Sequence, residues 1–446
     1  MRTAGLVFTA LTTVVALACV ETPRVDADSS AQTSATPTTD ASSPAQEIPE
    51  WKPTPRKIVR TELIAEDLPS VPALGLRTMK TARAGSFAFP EGTDELAPRA
   101  AVALGEGLAL VGQVYLRRRP GRPPATWRWI GFVPEQGEAT GRQLGEGSIR
   151  AAISDSEGGA LLAGNRGASS DSRGWFATLA ADATLGDEVE LDSPMATELF
   201  DLVPGRGPDE RAVVFGYVDA QAWAVSLDAS GAQRWQKFIS SFGYTQIRAA
   251  ARLAGEPADM LAVGSRAEGF GEAWWARLPH DGGPDASPTG VEQDKLDIAG
   301  ADPNQGLHAL VDLGEAGFIA LGTAKRNHIQ DHDQLLAVGF DPSGAPTWSR
   351  VLADVRVHTI RDGEPKPGAP GVARFVLSVP VAGPEGGPNR ALALLELGAS
   401  ADAAVVVEQI ADSEGWSSAG FVSGGTSLVA YRPTPTGADW RELSSP

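Results

Sequence analysis

Ala109-Leu110-Val111-Gly112, Leu161-Leu162-Ala163-Gly164 and Val213-Val214-Phe215-Gly216 are one short apolar strand written three times. The phrase returns as Leu261-Ala262-Val263-Gly264 and Ile319-Ala320-Leu321-Gly322. Weaker copies are Phe375-Val376-Leu377-Ser378 and Ser427-Leu428-Val429-Ala430. Their last residues lie 52, 52, 48, 58, 56 and 52 positions apart, a mean period of 53. Chance does not hold a period that well over six intervals. Self-similarity at this period marks a repeat in which each unit is one supersecondary element.

Working outward from each copy, a second short strand and a turn precede it, as at 149–153, 247–253 and 307–311. A third strand follows and often opens on an aromatic: Trp127 and Trp129, Trp175, Trp223, Trp274 and Trp275, Trp440. In two copies that strand runs into a turn and another Trp, Asp228-Ala-Ser-Gly231 before Trp235 and Asp341-Pro-Ser-Gly344 before Trp348. The Asp bonds the backbone two residues on, and Gly supplies a positive φ. A fourth strand starting near each such Trp completes the unit. Four-stranded units of this length are propeller blades. The expected fold is all-β: a seven-bladed β-propeller of four-stranded antiparallel blades, with repeats over about 99–446. The even period disfavours the rival, two β-sandwiches, and no long 3.6-period segment competes.

The run from Asp333-Gln-Leu335-Leu336 to Trp348 resembles the secreted bacterial β-propeller repeat proteins, whose units read Asp-x-x-Leu followed by Asp-x-x-Gly-x-x-x-Trp. The resemblance covers about 99–446 and implies fold only, because that family shares no activity. Quinoprotein propellers place one more residue between Asp and Gly, and sialidase Asp-boxes one fewer between Gly and Trp. Neither enzyme family is supported. The last copy reaches Pro446 soon after its third strand at 438–443, so its fourth strand is expected from a blade-closing N-terminal strand within 57–90, at 57–64 or 85–90. Closure of that kind removes the sheet edges that invite aggregation.

Arg2 is the only charge before an apolar run from Ala4 to Leu17, about fourteen residues where a membrane span needs about 20. A positive start, a short apolar run and small residues at its end describe a signal peptide, 1–18. The run ends Ala16-Leu17-Ala18-Cys19 and resembles the lipobox of bacterial lipoproteins, with Ala16 where Leu is usual and Leu17 where a small residue is usual. Cys19 is the only cysteine of the chain. The resemblance implies lipidation of Cys19, and three acyl chains anchor effectively permanently. Val20, rather than Asp, implies delivery to the outer membrane, facing periplasm or surface. Residues 19–56 then read as a lipidated Cys and a Ser/Thr/Pro-rich disordered tether, ahead of a propeller domain at 57–446.

The charge balance, 38 Lys and Arg against 56 Asp and Glu for a net −18, argues against nucleic acid and leaves the lipid on Cys19 as the membrane contact. A single cysteine excludes a disulfide framework. His328 and His332, beside Asp331 and Asp333, are the nearest approach to a metal constellation, but ligands four apart are a helix device and this segment reads as a loop. No Gly-x-Ser-x-Gly elbow, His-Glu-x-x-His or calcium loop occurs, and no cofactor or catalytic residue is assigned.

The loops between second and third strands depart from this acidic background. They hold eleven Arg and Lys against seven acids, net +4. Tyr115, Arg117, Arg118, Arg119, Arg122, Arg166, Arg173, Lys325 and Arg326 are the expected partner-binding residues on that side. The loops between first and second strands are acidic, with Glu106, Asp155, Glu157, Asp209 and Glu315. Planar guanidiniums match carboxylate and phosphate. The functional expectation is a monomeric, envelope-anchored binding or scaffolding module for an acidic partner, an envelope protein or polysaccharide. The alternative is a polysaccharide-acting hydrolase or lyase using carboxylates at the propeller channel.

Overall fold

The computed structural model describes residues 62–63, 65–67 and 74–445, apart from 89–92, 106, 117–124, 168–170, 194, 240–243, 256–258, 269, 282–290, 299–300, 302–303, 326–332, 383–387 and 423–425. The compact unit runs Lys57–Pro446. Among the described residues it is all-β with a single 3-10 turn, a β-propeller built of antiparallel meanders of four strands. Each repeated apolar phrase forms the second strand of its meander, as in Gly107–Leu116, Ala160–Arg166 and Ala212–Val218. The first strands stand side by side around the axis. Thr93–Leu104 touches Thr140–Ser154, which touches Thr197–Pro204. The contacts continue through Tyr244–Arg252, Asn304–Asp312, Thr359–Pro365 and Ser417–Val422, and the last touches Thr93–Leu104 again.

Five sheets are discrete blades of four or five strands, and the sixth is a continuous seven-stranded sheet. The expectation of seven separate blades is corrected accordingly. The cause is local. Thr140–Ser154 never breaks at Leu-Gly-Glu-Gly-Ser, so 140–146 pairs with Thr126–Pro134 while 147–154 pairs with Ala160–Arg166. One strand thereby closes one meander and opens the next.

The N-terminal segment takes a route that the periodicity does not show. Lys80–Ala88 pairs antiparallel with Gly437–Ser444 and is the fourth strand of the last meander. Glu62–Leu63 does not close it. It pairs parallel with Glu292–Ile298, while Ala65–Asp67 and Gly75–Arg77 lie parallel on Pro346–Val357 and Val405–Ile410. The segment therefore covers the outer edges of three blades before it closes a fourth.

Packing follows the expected chemistry. Trp129, Trp175, Trp223 and Trp274 are fully buried between sheets, so they serve blade packing and offer no face to a ligand. The Asp341 carboxylate accepts the Ser343 and Ala345 N–H groups at 2.9 and 3.0 Å, with Gly344 at φ +84°, and Asp228 repeats the arrangement. The glycine that ends the apolar phrase has a different cause. Opposite it, each first strand carries a β-bulge, at 199/201 opposite Gly216 and at 149/151 near Gly164. The bulge brings backbone so close that a Cβ on Gly164 would lie 2.1 Å from the Ser148 carbonyl oxygen. Only glycine fits.

Candidate functional site

That bulge recurs in every first strand, and the residue it displaces is Arg99, Arg150, Phe200, Arg248, His308, Arg361 or Ala419. A bulge sets two residues against one and re-aims a side chain. Arg99 and Arg150 act on each other, as do Arg150 and Arg248, and Arg361 feels Arg99. These guanidiniums therefore lie within electrostatic reach of one another. All four tyrosines of the chain gather with them. Tyr115 and Tyr431 act on Arg361, and Tyr217 and Tyr244 act on Arg248.

On one side the geometry is tightly bonded. Arg150 donates to Glu198 at 2.6 Å and to the Ser148 hydroxyl at 3.1 Å, and the Tyr217 hydroxyl donates to the other Glu198 oxygen at 2.9 Å. Phe200 stacks on Tyr217 at 5.8 Å, Tyr217 meets Tyr244 at 5.2 Å, and the Arg248 guanidinium lies 3.9 Å from the Phe200 ring centre. On the other side charge is left over. Arg99, Arg248 and Arg361 form no ion pair among the described residues, and their Nε–H groups are buried without a hydrogen-bond partner there. Burial lowers the Arg150, Arg248 and Arg361 pKa values, and neighbouring cations add to that, yet guanidinium stays charged at neutral pH. Burial, the Tyr244 contact and Glu198 raise the Tyr217 pKa, so its hydroxyl remains a donor.

Two carboxyls beside the bulges hold the ring together. Asp201 follows Phe200 and accepts the Leu202 and Ala250 N–H groups, both at 2.8 Å; Asp362 follows Arg361 and accepts those of Gly363 and Phe421 at 2.8 and 2.9 Å. Each ties its own first strand to the next one. Burial pushes Asp201 up to about 7 and Asp362 up to about 6, against the pull of those donors, and burial with Asp362 nearby pushes Glu364 up to about 7. A carboxyl raised in the folded state stabilises the fold fully below its unfolded pKa, and that contribution is lost as pH rises through the folded value. The melting temperature should therefore rise by a few degrees from pH 8 to pH 5. Calorimetry of the parent and of Asp201→Asn/Asp362→Asn should show a flatter slope in the double variant; equal slopes would refute the assignment.

Of the residues expected from the sequence, Tyr115 joins this mouth and accepts a hydrogen bond from Gln113 at 2.5 Å. Arg166 is exposed at the end of its strand, and Arg173 donates to the Ser193 and Met195 carbonyls at 2.8 and 3.3 Å, holding a neighbouring segment. Lys325 ends the strand Phe318–Lys325. Its side chain, Arg117, Arg118, Arg119, Arg122, Arg326, His328 and His332 lie outside the described residues, as does Cys19. Among the described residues no group of three or more His, Cys, Asp or Glu could hold a metal. On the opposite, first-to-second-strand side three of the acids are engaged: Asp155 with Arg211 at 3.5 Å, Asp259 with Arg277 at 2.9 Å, Glu210 with Arg252.

The ring itself was missed by reading loops alone. A signal was present: Arg99-Ala-Ala-Val, Arg150-Ala-Ala-Ile, Arg248-Ala-Ala-Ala and His308-Ala-Leu-Val recur at the period of the apolar phrase.

No family model matches the chain, and no curated protein does. Among solved structures it is similar to Sqt1 from Chaetomium thermophilum (12% identity, TM-score 0.46, covering 82% of this chain and 100% of that one). It is also similar to Drosophila Semaphorin 1a, extracellular domains 1–2 (10% identity, TM-score 0.42, 78% and 89% covered). At these scores the propeller assignment rests on the strand pairing of this chain.

Proposed function

We propose that the chain is an envelope-anchored lipoprotein whose propeller binds an acidic partner on the side of the second-to-third-strand loops. The observation that carries this is the surplus of guanidinium at the channel mouth, where Arg99, Arg248 and Arg361 form no ion pair among the described residues of a protein of net −18. An acidic partner is repelled by most of this surface and attracted here, which confers orientation. The hydrolase or lyase reading is less favoured by the geometry. Glycoside hydrolysis uses two carboxyl groups flanking the bond, whereas Glu198 is held by Arg150 and Tyr217, and Asp201 and Asp362 are held by backbone N–H groups.

Two measurements test the reading. Cys19→Ala should release the protein from the membrane fraction or leave its leader uncleaved; a variant that fractionates and matures like the parent removes the anchor. Separately, the lipidated chain in detergent should capture its main envelope partner in a salt-sensitive way. Replacing Arg117, Arg118, Arg119 and Arg122 by Ser should cut that capture at least tenfold, and replacing Arg206 and Lys366 on the opposite side should not. Equal losses from both sets sink the assignment of a face.

A further inference from the structure

The bulge ring has a chemistry of its own, inside the mouth and apart from the loops that surround it. Around the axis it presents Arg99, Arg150, Arg248, His308 and Arg361, with Phe200 and Ala419 at the remaining two positions. Several buried or half-buried arginines elsewhere have carboxylate partners. Arg128 pairs with Glu188 at 3.0 Å, Arg77 with Glu396 at 2.9 Å, and Arg252 with Glu210. In the ring, among the described residues, Arg150 alone forms an ion pair, with Glu198, which also accepts from Tyr217 and attracts Arg248. Removing a charge from water without a partner is costly. A fold that sets three guanidiniums without an ion pair among the described residues at the same position of three repeats therefore has a use for them.

The geometry points to a binding site for a small polyvalent oxyanion, one carrying two or more carboxylate or phosphate groups, seated within the ring of Arg99, Arg248 and Arg361. This rests on the reading of the same mouth as an acid-binding one. Each guanidinium is a planar fork that takes one oxyanion group through two N–H donors. Three such forks on different strands, Thr93–Leu104, Tyr244–Arg252 and Thr359–Pro365, ask for more than one such group. A halide or a monocarboxylate fills one fork and leaves two cations uncompensated. The hydroxyls of Tyr115 and Tyr431, which act on Arg361, add hydrogen-bonding groups beside it. His308, bonded to the Thr323 hydroxyl at 3.0 Å, occupies the same bulge position in its strand. Glu198 works in the opposite sense. Held by Arg150 and Tyr217, it closes one sector of the ring to anions and favours a ligand displaced toward Arg99 and Arg361. Partial burial strengthens every such contact over its value in water.

Titration calorimetry of the full chain in detergent tests the site with citrate, pyrophosphate, inorganic phosphate, acetate and chloride as probes. Citrate, pyrophosphate or both should bind at least tenfold more tightly than acetate or chloride. Binding by citrate alone identifies a polycarboxylate site, by pyrophosphate alone a polyphosphate site, and either outcome supports the ring. Arg99→Gln and Arg361→Gln should each weaken the tighter probe at least tenfold, while Arg234→Gln on the outer strand Gln233–Phe238 leaves it unchanged. Arg361→Lys, which keeps the charge and loses the fork, should fall between. Should a Gln variant fail to fold, hydrogen exchange on the parent decides. Added probe should slow exchange in the first strands carrying Arg99, Arg248 and Arg361, and unchanged exchange there rejects the site. Polyvalent probes that bind no better than acetate, or Gln variants that bind like the parent, overturn the proposal. Salt-sensitive partner capture through 117–122 with no oxyanion binding leaves the docking face standing without the ring. Oxyanion binding with capture indifferent to those loops does the reverse.

Discussion

A chain that begins at residue 93 should lose its cooperative melting transition, whereas one that begins at residue 57 should melt with the full chain. The difference is the strand Lys80–Ala88. It pairs with Gly437–Ser444 along its length, from Gly437 opposite Ala88 to Ser444 opposite Lys80, and Arg83 bridges to Glu442 at 2.7 Å. Phe87 is 3% exposed, edge-on to Trp129 at 5.0 Å and 6.4 Å from Trp440. It joins the last meander to the first, so its loss opens the ring at the last meander. Truncating one buried Phe costs about 3–5 kcal/mol, against a total stability of about 5–15 kcal/mol for a domain. Removing the whole strand also bares an edge and uncovers Trp440. A start at residue 80 should lie between, having lost only the parallel edge strands and the Arg77 bridges to Glu396 and Glu408. Calorimetry of the three truncations reads the order directly, and equal transitions would rule out closure by this strand.

Gly216→Ala should be strongly destabilising for a single added methyl, with a stability loss of about 1–3 kcal/mol. The added Cβ would sit 2.0 Å from the Glu198 carbonyl oxygen and 2.9 Å from the Leu199 Cα. Those atoms are backbone of the bulged strand, so relief requires moving the bulge, and with it Phe200 and the Glu198 carboxylate. Gly75→Ala is the control, because its nearest neighbours are the Glu408 side chain at 3.8 and 3.9 Å. Denaturant titration should separate the two clearly. Comparable losses at both positions would mean that the close approach at the bulge is not what requires glycine.

Much of this was legible in the residues. The recurring apolar phrase, the Asp–Gly turns before Trp235 and Trp348 and the aromatic start of the third strands lead to propeller meanders because each is a local property. Alternation, turn chemistry and bulk act within a few residues. The glycine at the end of the phrase was readable as a repeat mark, but its cause was not. That lies in the Ser148 and Glu198 carbonyls, which come from the neighbouring strand. Sheet connectivity was less readable still. Nothing local in Leu-Gly-Glu-Gly-Ser announces that 140–154 stays one strand, since two glycines usually punctuate a chain.

Read alone, the residues lead to a β repeat with a fixed period, buried tryptophans and an excess of arginine in the loops after its second strands. Which arginines share a site follows from the folded chain. Whether Arg99, Arg150, Arg248 and Arg361 point inward depends on a one-residue bulge, and in a period-2 strand one residue of register turns a side chain to the other face. Likewise, composition allowed two N-terminal stretches to complete the last meander. Pairing chose Lys80–Ala88, because only there does Phe87 reach both Trp129 and Trp440. Contacts between residues hundreds of positions apart leave no local trace, and in this chain they set both the closure and the site.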